Sequence, residues 1–246
     1  MEKTQYLGAL EIEADAFIAA VGRDMELQVS HCGEWAIRDL AVHLGSVWQF
    51  ATANTLAGGE KDGPANPWAN DETSPDSELV NWLNDSKDRM LEVLHDADPE
   101  ATAWTFASNN QTAGFWQRRM VAETIVHRWD AEHCIYQGAA KPIDRELAAE
   151  GIDEYTEVGL RFSSSRPDRT YPASSLHLHC TDTDGEWLIV GDGGTRYSVT
   201  REHAKGDAAV KGTASALLLW IWGRDGGPVE IFGDEAVATT WRELAP

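Results

Sequence analysis

The chain is predicted to fold as an α + α/β protein in two parts. A four-helix bundle is expected over residues 1–140, and a small α+β domain with a mostly antiparallel sheet over residues 141–246. Three observations lead there. Apolar residues recur at the helical period in four long segments before residue 137. The period changes to two from Leu176 onward, where the chain reads Leu-His-Leu-His-Cys. Two long polar connections separate the four helical segments, as in bundles that build sites between facing helices.

The totals narrow the functional classes. The 246 residues can bury a sizeable core, and the apolar fraction of 42% and charged fraction of 25% are those of a globular protein. The formal net charge of −21 argues against nucleic acid and against anionic membrane surfaces, both of which need a basic face. A small anion remains possible through a local arginine cluster. Cys32, Cys134 and Cys180 form no CxxC pair, which predicts a reduced, cytoplasmic protein without a disulfide framework. The first residues lack the apolar core of a signal peptide, and the most apolar run, Ala216 to Trp222, is too short to span a bilayer. The oligomeric state is not readable from the sequence.

Thr4 to Val21 is the first expected helix: apolar residues stand at Tyr6, Leu7, Leu10, Ile12, Ala14, Phe17, Ile18 and Val21, most of them on the 3.6-residue period, with Gly22 as its stop. A loop, Leu27 to Glu34, contains His31, Cys32 and Gly33. Trp35 to Leu56 is the second helix. Its apolar stripe runs through Leu40, Leu44, Val47, Trp48 and Ala51 and includes His43. A lone histidine on such a stripe is usually a hydrogen-bonded core residue. Ala57 to Pro75 is a long loop rich in Gly, Pro, Asn and Asp, with Trp68 as its bulky residue and a candidate wall or lid. Ser77 to His95 is the third helix, and Trp104 to Thr112 a second loop.

The central helix is Phe115 to Tyr136, free of internal Gly and Pro and ended by Gln137-Gly138. Arg145 to Phe162 is expected as a fifth helix and residues 163–175 as a polar linker. Strands follow at 176–180, 186–190, 196–201 and 208–211, with a hairpin turn at Asp192-Gly193-Gly194. Thr213 to Gly223 is a helix with Thr213 as candidate cap. Val229 to Phe232 is a last strand and Asp234 to Leu244 a last helix.

Glu123 and His127 stand four apart on the central helix, one turn apart on one face. A carboxylate and an imidazole so placed supply two of the three protein ligands of a zinc site that keeps one position open. His43, on the apolar face of another bundle helix, is the candidate third. Asp130, one turn beyond His127, either orients that ring from behind or makes an ordinary ion pair. Arg119, four residues before Glu123, is placed to pair with it. His31 beside Cys32 is a weak nucleophile–base candidate, because adjacent residues rarely face each other. The Gly191–Gly194 run is a hairpin turn, since no phosphate-binding helix follows it.

Three segments together resemble one family: WAIRDLAVHLG at 35–45, RRMVAETIVHRWDAE at 118–132 and LLLWIWGR at 217–224. They are similar to the mycothiol-dependent maleylpyruvate isomerases, over nearly the whole chain. The resemblance implies a DinB-like four-helix bundle followed by a sterol-carrier-like α+β domain. It implies a divalent metal, usually zinc, on His43, Glu123 and His127, and mycothiol as thiol cosubstrate. The metal favours the thiolate, which adds to the double bond of a cis enedioate such as maleylpyruvate; rotation and loss of the thiol give the trans isomer. Arg224 matches an arginine of the family's second domain and is the candidate for a substrate carboxylate. The other account of Arg224 is a cation closing a helix C-terminus. Where many relatives read Cys-Pro-x-Trp, this chain reads Cys32-Gly33-Glu34-Trp35, which puts the detailed shape of that loop in doubt.

Three functions fit these residues: the thiol-dependent isomerase; a mycothiol S-transferase that stops at conjugation; and a non-catalytic, metal-stabilised binding module. The metal triad does not separate the two enzymes. A fourth protein ligand or a closed apolar cavity would favour the module.

Overall fold

Helices form where the apolar period predicts them. The computed structural model of the protein describes residues 1–60, 76–161 and 170–245. Most of the predicted long loop, Trp68 included, and part of the predicted 163–175 linker lie outside the described residues. The chain divides into two compact units, Met1–Lys141 and Pro142–Pro246. Among the described residues no helix is long and apolar enough to cross a membrane.

The first unit holds helices α1 (Lys3–Val21), α2 (Ile37–Ala57), α3 (Asp76–Asp96) and α4 (Ala113–Ile135). In α1 the in-period residues Leu10, Ala14, Phe17 and Val21 are buried, whereas Ile12, out of period, is exposed. Helix α1 packs along α4, and α2 packs on both α3 and α4. The α2–α3 approach is close because residue 45 is glycine. A Cβ there would sit 2.1 Å from the Trp82 ring. The Asp39 carboxylate secures the start of α2 by accepting from the Ala36 N–H at 2.8 Å. Helix α4 begins at the Thr112 cap, whose hydroxyl accepts from the Phe115 N–H. It ends where Gln137 and Gly138 turn left-handed, with φ of 54° and 88°.

Helix α4 differs from its neighbours in being buried nearly all round. Such a helix is usually apolar on every face, yet Gln117, Glu123, Thr124, His127, Arg128, Asp130 and Glu132 are all buried. Each therefore needs a partner, because an unpaired buried polar group costs free energy. Gln117 donates to the Leu94 carbonyl at 2.9 Å. Thr124 accepts from the Trp48 indole N–H at 3.1 Å, which ties α4 to α2. Arg128 donates to Glu13 at 2.6 Å, to Glu132 at 3.0 Å and to the Lys141 carbonyl at 2.5 Å. The remaining three, Glu123, His127 and Asp130, meet one another.

The second unit is α+β. Helix α5 (Arg145–Glu154) starts at Asp144, whose carboxylate accepts from the Glu146 and Leu147 N–H groups. The sequence predicts one continuous helix from Arg145 to Phe162. Instead α5 widens into a π-helical turn over Tyr155–Gly159. Gly159 lies under the Tyr155 ring, where a Cβ would approach to 2.9 Å. Strands β1 (Ser175–Cys180), β2 (Glu186–Gly191), β3 (Tyr197–Thr200), β4 (Ala208–Gly212) and β5 (Val229–Gly233) form one sheet in the order β3-β2-β1-β4-β5. All neighbours are antiparallel except β1 and β4. One face carries Leu176, Leu178, Trp187, Ile189, Ala208 and Val210, all fully buried. Helices α6 (Ala214–Ile221) and α7 (Glu235–Arg242) pack on β1 and β4. Thr213 caps α6 as predicted, accepting from the Ala216 N–H at 3.2 Å. The other face of β1 and β2 carries His177, His179 and Glu186, with Lys211 beside them on β4.

Candidate metal centre

The packing of α2 on α4 brings His43 to Glu123 and His127, all three buried. Glu123 Oε1 lies 3.2 Å from His43 Nε2 and 3.4 Å from His127 Nε2. One donor atom from each of the three lies within 4.8 Å of the others. The two imidazole rings are 5.0 Å apart and nearly perpendicular. The second carboxylate oxygen of Glu123 is taken by the Arg119 guanidinium, the pairing expected from their four-residue spacing.

Behind His127 stands Asp130, whose Oδ2 accepts from His127 Nδ1 at 3.0 Å. That bond fixes which ring nitrogen carries the proton and turns Nε2 toward Glu123 and His43. Of the two accounts of Asp130, the geometry is that of a carboxylate orienting the ring. Cys32 approaches from the loop before α2, its Sγ 3.6 Å from the same Asp130 oxygen. Cys32, His127 and Asp130 thus form a second close group sharing His127 with the first. The His31 ring lies instead against Trp129 and His133, at 5.6 and 5.4 Å. Cys32 faces Asp130 and His127, a placement that spacing did not suggest.

The electrostatics follow from burial and partners. Burial pulls the His43 imidazole below its ordinary range, outweighing its hydrogen bond to Glu123. Burial would raise Glu123, but Arg119 and the two histidines hold it well below the usual carboxylate range. Burial would likewise lower His127, but the bonds to Asp130, Cys32 and Glu123 hold it well above the usual imidazole range. His43 Nδ1 is buried with no hydrogen-bond partner among the described residues. Two imidazoles and a carboxylate, one imidazole backed by a second carboxylate, are a donor set that zinc takes in open sites. The residues fit a divalent cation.

The loop before α2 turns at a glycine. Gly33 has φ of 63°, a left-handed conformation closed to proline, whose ring holds φ near −65°. A Trp35 N–H to Cys32 carbonyl bond of 3.2 Å closes the turn around it. The Trp35 ring then rests 5.0 Å from the His43 ring.

Arg224 belongs to the second unit. It follows α6, is buried, and donates from Nη1 to the Trp222 carbonyl at 2.7 Å. That bond is what an arginine closing a helix C-terminus makes.

Comparison with known proteins bears on both units. The profile of the Mycothiol maleylpyruvate isomerase N-terminal domain matches residues 7–132, and that of the MDMPI C-terminal domain matches residues 146–240. A crystal structure described as the mycothiol-dependent maleylpyruvate isomerase superposes with a TM-score of 0.62 at 12% identity, covering 94% of this chain and 93% of that one. A histidine-to-alanine variant of that isomerase gives a TM-score of 0.60 with the same identity and coverage. At this identity the likeness is one of fold. No curated protein sequence matches the chain significantly.

Proposed function

The chain belongs to the mycothiol maleylpyruvate isomerase family, and we propose that it is a thiol-dependent cis–trans isomerase of a small unsaturated diacid such as maleylpyruvate. The observation that supports this most is the convergence of His43, Glu123 and His127 in the N-terminal unit. These three would hold a divalent cation, zinc first, though such a donor set accepts other first-row ions. A cation there supplies positive charge and an open position that favour the thiolate of a bound thiol.

The chain's own residues prepare that centre. Asp130 holds the His127 ring so that Nε2 faces its neighbours. Arg119 keeps Glu123 ionised and occupies one of its oxygens, leaving Oε1 toward the histidines. In the proposed reaction the sulfur of mycothiol adds to one carbon of the cis double bond, and the π electrons move onto the conjugated carbonyl. The new single bond rotates. Return of the electrons expels the thiol and leaves the trans double bond, so the thiol is regenerated. For Arg224 the proposal is a carboxylate of the diacid, which a guanidinium binds as a planar fork, with closure of the α6 C-terminus as the other account. Cys32, Cys134 and Cys180 form no disulfide, which accords with a cytoplasmic enzyme using a reduced thiol.

The test is an assay with maleylpyruvate and catalytic mycothiol. The trans isomer forming with the thiol conserved supports the proposal. Stoichiometric consumption of mycothiol with a stable conjugate would replace it with an S-transferase. Neither product would point to a binding module.

A further inference from the structure

The second unit carries another cluster of metal-ligating side chains, on the sheet face turned away from Leu176 and Leu178. Strand alternation separates β1 into two sets: Leu176, Leu178 and Cys180 on the core side, His177 and His179 on the other. On β2, Glu186 stands directly opposite His179. His203 arrives from the connection between β3 and β4. Glu186 Oε2 lies 3.2 Å from His177 Nε2 and 2.8 Å from His203 Nδ1, and Oε1 lies 3.0 Å from His179 Nδ1. The three rings are 5.6 to 6.0 Å apart, centre to centre. One donor atom from each of the four lies within 4.8 Å of all the others.

Three imidazoles gathered on one carboxylate are a favourable donor set for a cation. Zinc bonds imidazole nitrogen and carboxylate oxygen at about 2.0–2.2 Å, so donors around a tetrahedral ion lie roughly 3.3–3.5 Å apart. The carboxylate–imidazole separations here, 2.8 to 3.2 Å, are shorter than that by about 0.1–0.7 Å, so a small outward shift of the rings would seat the ion. We propose that His177, His179, Glu186 and His203 form a second divalent-cation site, separate from the bundle centre and of the zinc class. Imidazole-rich donors suit zinc, copper(II) or nickel and do not suit calcium or magnesium, which take oxygen. With four protein ligands the site is closed, so its role is structural. The ion ties the segment between β3 and β4 to strands β1 and β2. The exposed side chain of His203 gives it access from solvent.

The experiment uses untagged full-length protein titrated with zinc against a competing chelator. The His43→Ala variant, which disables the bundle centre, is expected to bind about one equivalent. His43→Ala/His203→Ala is expected to bind at least about tenfold more weakly, since even outer-shell losses at metal sites cost 10–100-fold. Because His203 is exposed, its loss does not disturb the core. Wild type against His203→Ala, two equivalents against one, gives the same reading if His43→Ala folds poorly. No zinc in His43→Ala, or affinity unchanged by His203→Ala, overturns the site. Either outcome leaves the isomerase proposal untouched, because that rests on the bundle centre and its assay.

Discussion

The two histidine–carboxylate clusters gather the same kinds of donor by opposite means. In the bundle, Glu123 and His127 are one helical turn apart and His43 comes from a facing helix; all three are buried. In the sheet, His177 and His179 are two residues apart on one strand and Glu186 is their cross-strand neighbour; only His177 is buried. The bundle cluster is held by surrounding groups: Asp130 behind His127, Arg119 on Glu123, and Trp48 bonded to Thr124 beside it. The sheet cluster is held by strand register alone, with one ligand on an exposed connection. Burial and outer support suit an open, reactive site, and surface placement with four ligands suits a clasp.

The comparison breaks first at His127. His127→Ala is expected to abolish stoichiometric metal at the bundle centre and isomerase activity with it. Mass spectrometry of the purified variant checks this, and full occupancy would remove the centre. Arg128→Ala is next. It strips the cation from buried Glu132 and from Glu13, leaving Glu132 only the Lys141 N–H, so a loss of about 3–5 kcal/mol is expected in denaturant unfolding. A loss below about 1 kcal/mol would mean that α4 does not depend on its polar network. Asp130→Asn keeps the shape behind His127 but not the charge. It should weaken metal binding by about 10–100-fold at little cost to the fold.

Arg224→Lys separates the two accounts of that residue. A lysine keeps a cation at the end of α6 but loses the planar fork. Substrate binding predicts a fall of about tenfold or more in kcat/KM with Tm unchanged. Helix closure predicts unchanged kinetics. The smallest effect is expected from His203→Ala without zinc. As an exposed substitution it should shift stability by no more than about 0.5 kcal/mol. With zinc, wild type should gain Tm that the variant does not.

What was legible in the sequence followed local periods. Helices α1 to α4 showed as 3.6-residue stripes, and β1 as the alternation of Leu176 to Cys180. Glu123 and His127 were legible as neighbours because a helix turns a four-residue spacing into contact, whereas His43 was only a candidate on a facing stripe until the packing of α2 on α4 brought it to Glu123. The burial of α4 on its polar side was not, because Arg128 and Glu132 are satisfied by Glu13 and the Lys141 backbone, which no local pattern predicts. The π turn at Tyr155–Gly159 depends on a ring lying over a glycine one turn on. The parallel pairing of β1 with β4 depends on chain crossing, which strand composition does not encode. The sheet cluster left only a faint trace, a His-x-His on a strand with Glu opening the next. His203, more than twenty residues from His179, was joined to it by the fold alone.

The most direct measurement is metal content per chain, by mass spectrometry, in wild type and His43→Ala purified without chelator or added metal. The account predicts that His43→Ala lacks one equivalent that wild type carries, whatever the sheet cluster holds. Equal metal in the two proteins would contradict it and leave His43, Glu123 and His127 as a buried hydrogen-bonded group.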